Sequence, residues 1–227
     1  MTLPRDIHAV IFDMDGLLVD TEVMVRDAMM AEAEAMGHEM PMPVFLSMVG
    51  TNRKASEQIL RDHFGGDLDL ADFHSGWTRR FYAVAEAGIA LKAGVVELLD
   101  HLDALGIPRA ICTSSPHREV DRNLEPHELK TRFDAIIAAG DYAEGKPHPD
   151  PFLKAAELLG VPPENCLALE DSHNGVRAAH AAGMMTIMIP DLLQPTDEID
   201  ALCVLILGDL HEVRAVIAAM DSPEEMA

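Results

Sequence analysis

Six short runs of β-prone residues set the terms for this chain: His8–Phe12, Pro108–Thr113, Phe133–Ala139, Cys166–Leu169, Thr186–Ile189 and Leu202–Leu207. They are largely apolar at neighbouring positions rather than at alternate ones. That pattern suits strands covered on both faces, as in a parallel sheet. Helical stretches lie between the later runs, at Val95–Leu105, Asp150–Leu159 and Asn174–Ala182. Each is followed by a glycine (Gly106, Gly160, Gly183) where a left-handed C-cap is expected. Strand and helix in alternation predict an α/β fold with a doubly wound, Rossmann-like parallel sheet.

The first strand breaks the alternation. Between Phe12 and Val95 lies far more chain than the dozen or so residues that a crossover needs. Only helical patterns occur there: Asp20 or Thr21 to Met36, Arg53–His63, and Asp69–Ala87. The expected organisation is therefore a core of residues 1–16 and 90–227 with a small α-helical cap inserted at 17–89. The acidic tail from Pro190 reads as solvated surface.

Composition narrows the partners. The chain has 227 residues, 48% of them hydrophobic, enough for a core without staples. With 17 Lys+Arg against 39 Asp+Glu, the formal charge of −22 disfavours nucleic acid and anionic membrane surfaces. No apolar run approaches the roughly 18 residues that span a bilayer, and Met1–Phe12 lacks the features of a signal peptide. Cys112, Cys166 and Cys203 are odd in number and sit in apolar stretches. They read as buried free thiols of a cytoplasmic protein. Nothing distinguishes a monomer from a small homo-oligomer.

Four segments carry chemistry. An apolar strand runs straight into Asp13-Met14-Asp15-Gly16, and residues two apart in extended chain point to the same side. Asp13 and Asp15 should therefore meet at the C-terminal edge of the sheet, where open α/β sheets bind ligands. Thr113-Ser114-Ser115 follows the second strand and suits an anion-holding turn, or an ordinary helix N-cap. Gly145-Lys146-Pro147-His148-Pro149-Asp150 places one lysine in a loop stiffened by prolines, or is a plain surface turn. Glu170-Asp171 end another apolar strand, where an acidic N-cap would account for Asp171 but not for Glu170.

In this order and at these strand ends, the four segments resemble the haloacid dehalogenase (HAD) superfamily, and in particular its β-phosphoglucomutase-like phosphatases. The resemblance spans Asp13 to Gly175, and the helical insert falls where that family places its cap. It implies Asp13 as nucleophile and Asp15 as general acid/base, with Thr113, Ser114 and Lys146 at the phosphoryl group. It implies Mg²⁺ held by Asp13, Glu170, Asp171 and the backbone carbonyl of Asp15. The residues agree in chemistry: four carboxylates beside a phosphate repel one another unless a hard divalent cation and a lysine intervene.

The implied activity is a Mg²⁺-dependent phosphatase that hydrolyses a small phosphorylated metabolite, a sugar phosphate or similar, through an aspartyl-phosphate. A hexose-phosphate mutase is the alternative, and a non-catalytic binding protein on the same fold is a third. Val49-Gly50-Thr51-Asn52-Arg53 matches the subgroup's cap loop, so Arg53 is a candidate substrate clamp. Val49 and Val25 stand where the mutases carry Lys and His, which favours hydrolysis. Asp15 argues against a dehalogenase, and a cap whose single lysine is Lys54 argues against a phosphonatase. The cap holds half of the chain's 14 methionines (Met24, Met29, Met30, Met36, Met40, Met42, Met48), whose default role is core packing.

Overall fold

A computed structural model of the chain describes residues 3–51 and 53–220. Asn52 and the last acids of the tail lie outside the described residues. Six parallel strands form one sheet in the order β3-β2-β1-β4-β5-β6. They are β1 (Ala9–Phe12), β2 (Arg109–Cys112), β3 (Ala135–Ile137), β4 (Cys166–Glu170), β5 (Met185–Met188) and β6 (Leu205–Ile206). Strands β1, β2, β4 and β5 are buried along their whole length, which is why their apolar residues run consecutively.

β1 pairs with β2 on one side and β4 on the other, with Phe12 opposite both Ile111 and Leu169. The chain order reverses across this strand, which opens a crevice at its carboxyl end. Two layers of core flank the sheet. One is built on Val10, Phe12, Leu98, Leu102 and Ile187, the other on Ile11, Ala110, Phe152, Ala168 and Ala179.

Four helices come between β1 and the helix that leads into β2: α1 (Glu22–Ala35), α2 (Met42–Met48), α3 (Arg53–Phe64) and α4 (Leu70–Ala85). Asp69 caps α4, accepting the N–H groups of Ala71 and Asp72. Met29, Met40 and Met48 join Phe45, Leu60 and Phe73 in a core belonging to these helices, as expected of the methionines, while Met42 is exposed. The segments that leave and re-enter the sheet layer run side by side. Asp20 N–H donates to Ala90 O, Lys92 N–H donates to Leu18 O, and Val19 bridges Leu91 antiparallel.

The remaining helices are α5 (Val95–Leu105), α6 (His117–Leu124), α7 (Asp150–Leu159), α8 (His173–Ala181), α9 (Asp197–Leu202) and α10 (Leu210–Met220). Gly106 and Gly160 take the left-handed conformation at the ends of α5 and α7.

Three expectations need correction. The tail after Pro190 is not merely solvated surface, because α10 inserts Leu210, Val213, Val216 and Ile217 into the main core. Those residues recur at helical spacing, so Glu212 among them points outward while one face is buried. Leu202 closes α9 rather than opening the last strand, and Cys203 is half-buried, unlike the buried Cys112 and Cys166.

Candidate active site

Asp13 follows β1 directly, its N–H held by Leu169 O, so its carboxylate stands at the mouth of the crevice. Lys146 reaches it from the loop after β3. The ammonium donates to Asp13 Oδ1 (2.5 Å), Glu170 Oε1 (2.5 Å) and Cys112 O (2.8 Å), and the side chain is almost entirely buried. Burial alone would lower the lysine pKa. The carboxylates of Asp13 and Glu170 outweigh it and hold the group well above the ordinary range, so it remains an ammonium. Lys146 is therefore an internal cation rather than a lysine of a surface turn.

Glu170 and Asp171 emerge from β4. Burial pushes Glu170 up to about 7 against the pull of Lys146, and burial followed by Asp13 and Glu170 pushes Asp171 well above the usual carboxylate range. Asp171 is not the cap of α8. Ser172 fills that position, accepting the Gly175 N–H at 3.1 Å and donating to Glu170 Oε2 at 3.0 Å. Two glycines let the acids in: a Cβ at Gly16 would overlap the Asp171 carboxylate, and one at Gly175 would overlap that of Glu170.

Asp13, Glu170 and Asp171 each present an oxygen within 4.8 Å of the others. Three buried carboxylates, with Glu170 and Asp171 raised in affinity for a proton, are a set of hard donors that a hard divalent cation satisfies. The carboxylate of Asp15 is not among them.

Asp15 faces the other way. It accepts Ser115 Oγ–H at 2.7 Å and Thr21 Oγ1–H at 2.9 Å, with Thr113 Oγ1 and Asn123 Nδ2 at 3.5 Å. Burial, and after it the charge of Asp13, pushes Asp15 up to about 6, against the Ser115 and Thr21 hydrogen bonds. Two neighbouring carboxylates thus divide their roles, one tied to an ammonium and the other ready to hold a proton.

Thr113 is buried, and its hydroxyl accepts the Ser115 N–H rather than capping α6, whose first position follows Pro116. Ser114 lines the crevice floor beside it. Arg53 borders the same cavity from α3, with its side chain 66% exposed and paired with Glu57 at 2.8 Å. His117 and His173 are occupied by Asp141 and by Gln194 O.

Several residues of this site were not singled out from sequence. Ser115 and Asn123 fasten Asp15, and Glu22, at the start of α1, lines the cavity beside Asp13 and Asp15. Burial, then Asp15 and Asp13, pushes Glu22 up to about 8. Its position in Asp-x-Asp-Gly-x-x-x-Asp-Thr-Glu was the available signal.

A parallel α/β sheet with a carboxylate pair at the end of its central strand, a buried lysine and a second acidic pair defines a hydrolase-type crevice. A family model of haloacid dehalogenase-like hydrolases matches residues 7–183, and the chain belongs to that family. It is 39% identical to the protein CbbY of Cereibacter sphaeroides over 198 residues, covering 81% of this chain and 84% of that one. It is 32% identical to the phosphorylated carbohydrates phosphatase of Thermotoga maritima, covering 79% and 83%. The crystal structure of a CbbY variant from Rhodobacter sphaeroides in complex with xylulose-(1,5)bisphosphate has the same fold. Its TM-score is 0.77 at 32% identity, over 91% of this chain and 96% of that one.

Proposed function

We propose that the chain is a Mg²⁺-dependent phosphatase of a small phosphorylated metabolite, acting through an aspartyl-phosphate on Asp13. The observation that carries this reading is the division of labour at the end of β1. Asp13 is held by the Lys146 ammonium, while Asp15 is held by hydroxyls and pushed up to about 6. The names of relatives, a phosphorylated carbohydrates phosphatase among them, support hydrolysis of a phosphate ester.

A carboxylate oxygen of Asp13 attacks phosphorus in line, and the P–O bond to the alcohol breaks. Asp15, protonated, gives its proton to the departing alkoxide. As a carboxylate it then takes a proton from the water that attacks the aspartyl-phosphate, which frees phosphate and regenerates Asp13. Lys146 neutralises the anion beside Asp13, and the Thr113–Ser115 turn faces it. Mg²⁺, held by Asp13, Glu170, Asp171 and the Asp15 carbonyl, would supply charge neutralisation for the phosphoryl oxygens.

In this reading the helices of residues 17–89 are a cap that closes over the core of 1–16 and 90–227, excludes water and brings Arg53 toward the substrate. The setting is cytoplasmic; among the described residues no helix is long and apolar enough to cross a membrane.

Phosphate release from a panel of monoesters, with Mg²⁺ and with chelator, tests the reading. Asp13→Asn should lose activity by on the order of 10³-fold or more. A variant that still turns over esters well would refute the covalent step. Isomerised sugar phosphate in place of free phosphate would point to a mutase.

A further inference from the structure

We infer that the alcohol released by this enzyme carries an apolar body, a ring or a branched hydrocarbon, rather than a run of hydroxyls. The inference rests on the phosphatase reading and narrows its substrate. The cavity of about 600 Å³ over Asp13 has two unlike ends. Its floor is polar, made by Asp13, Asp15, Thr113, Ser115 and Lys146. The wall facing them has a continuous apolar part beside polar groups that include Glu22, Arg53 and Lys54. Val25 of α1, Met48 of α2, Leu60 of α3, and Phe73, Trp77 and Phe81 of α4 all line it. One apolar surface is thus assembled from four helices.

Several polar groups on the cap side are paired with one another. Thr51 Oγ1 bonds Ser56 Oγ and Met48 O, both at 2.7 Å. Arg53 is paired with Glu57 at 2.8 Å. His74 packs edge-on against Trp77, with its Nδ1 at 3.4 Å from Thr78 Oγ1. Lys54 is exposed. A hydroxyl pressed against Phe73 or Val25 would lose water against side chains that carry no hydrogen-bonding group. A hydrocarbon body there removes apolar surface of both partners from water. Trp77 and Phe73 also offer ring faces and edges to a planar group. The polar floor faces the ester group, so selection for the apolar body falls to the cap.

The test compares 2-phenylethyl phosphate and 3-methylbutyl phosphate with ribose 5-phosphate and glucose 6-phosphate on the full chain with Mg²⁺. Turnover is read as kcat/KM for the native chain, and affinity by calorimetry on Asp13→Asn. The expected result is a preference of about tenfold or more for the hydrocarbon esters in both readouts. Trp77→Ala should lower that preference at least about fivefold. Val25→Thr, which keeps volume and adds a hydroxyl, should lower it in the same direction and guards against a folding defect in the tryptophan variant. Equal or better turnover and binding of the sugar phosphates would overturn the inference and leave the phosphatase reading standing. Tight binding of the hydrocarbon esters without hydrolysis of any ester would do the reverse.

Discussion

Lys146 has all three of its ammonium protons engaged, by Asp13, Cys112 O and Glu170, in a place with almost no access to water. Replacing it with methionine would leave three buried carboxylates facing one another. Lys146→Met should therefore destabilise the metal-free protein by about 3 kcal/mol and abolish phosphate release; chemical denaturation with chelator, beside an activity assay, checks both. Ser115 makes a subtler case. Its hydroxyl lowers the Asp15 pKa against the push of burial, so Ser115→Ala should raise it further. The alkaline limb of the pH–rate profile, which in the proposed mechanism reports loss of the Asp15 proton, should move to higher pH by a fraction of a unit, and a purely structural role would not move it. Asp13 and Asp15 were legible in the sequence because their relation is local, two residues apart just past the end of β1, although their carboxylates turn to different partners instead of the same side. Ser115 and Asn123 meet Asp15 across separations of 100 and 108 residues, and no local pattern announces such a contact.

Among the elements, those with strong punctuation were read well. Helices α5 and α7 begin and end where their sequences predicted, because Gly106 and Gly160 stop them. Helix α2 was missed. It has seven residues, with Pro43 in its first turn, too short for a periodic signal and held by packing of Phe45 and Met48. The contact between α4 and α6 was also invisible, since it joins residues 37 apart in the chain. There Tyr82 donates to Glu119 Oε1 at 2.5 Å, and the Arg122 guanidinium lies 3.5 Å above the Tyr82 ring. Tyr82→Phe removes the hydrogen bond but keeps the ring. Under the proposed closure of the cap it should cost about 1 kcal/mol, appearing as a several-fold rise in KM with kcat little changed in steady-state kinetics. Gly94, entering α5 with φ of 87°, faces the backbone of Leu210 and His211 so closely that a Cβ would overlap it. Gly94→Ala should lower the thermal midpoint by several degrees through about 1–3 kcal/mol of strain.

For the molecule as a whole, the charge of −22 describes the surface, while the crevice has its own electrostatics. Asp15, Glu22 and Glu170 are raised to about 6, 8 and 7, so the folded metal-free chain retains protons that an unfolded chain would release near pH 4. Their contribution to stability is present below that range and lost as pH rises through 6 to 8. In chelator the thermal midpoint should fall between about pH 5 and pH 8.5. Added Mg²⁺ should raise it more at the upper end than at the lower, where protons compete for the same oxygens. A melt series at both pH values, with and without the ion, decides this; an equal rise at both would contradict it. The paired segments at Leu18–Asp20 and Ala90–Lys92 bear on the whole chain in another way. The excursion through α1–α4 leaves and rejoins the sheet layer at a single doorway, so its two ends are neighbours whatever lies between them. A lineage of such chains can trade one helical cassette for another and acquire a new appetite without disturbing a strand of the ladder beneath. A protein engineer can splice at the same seam.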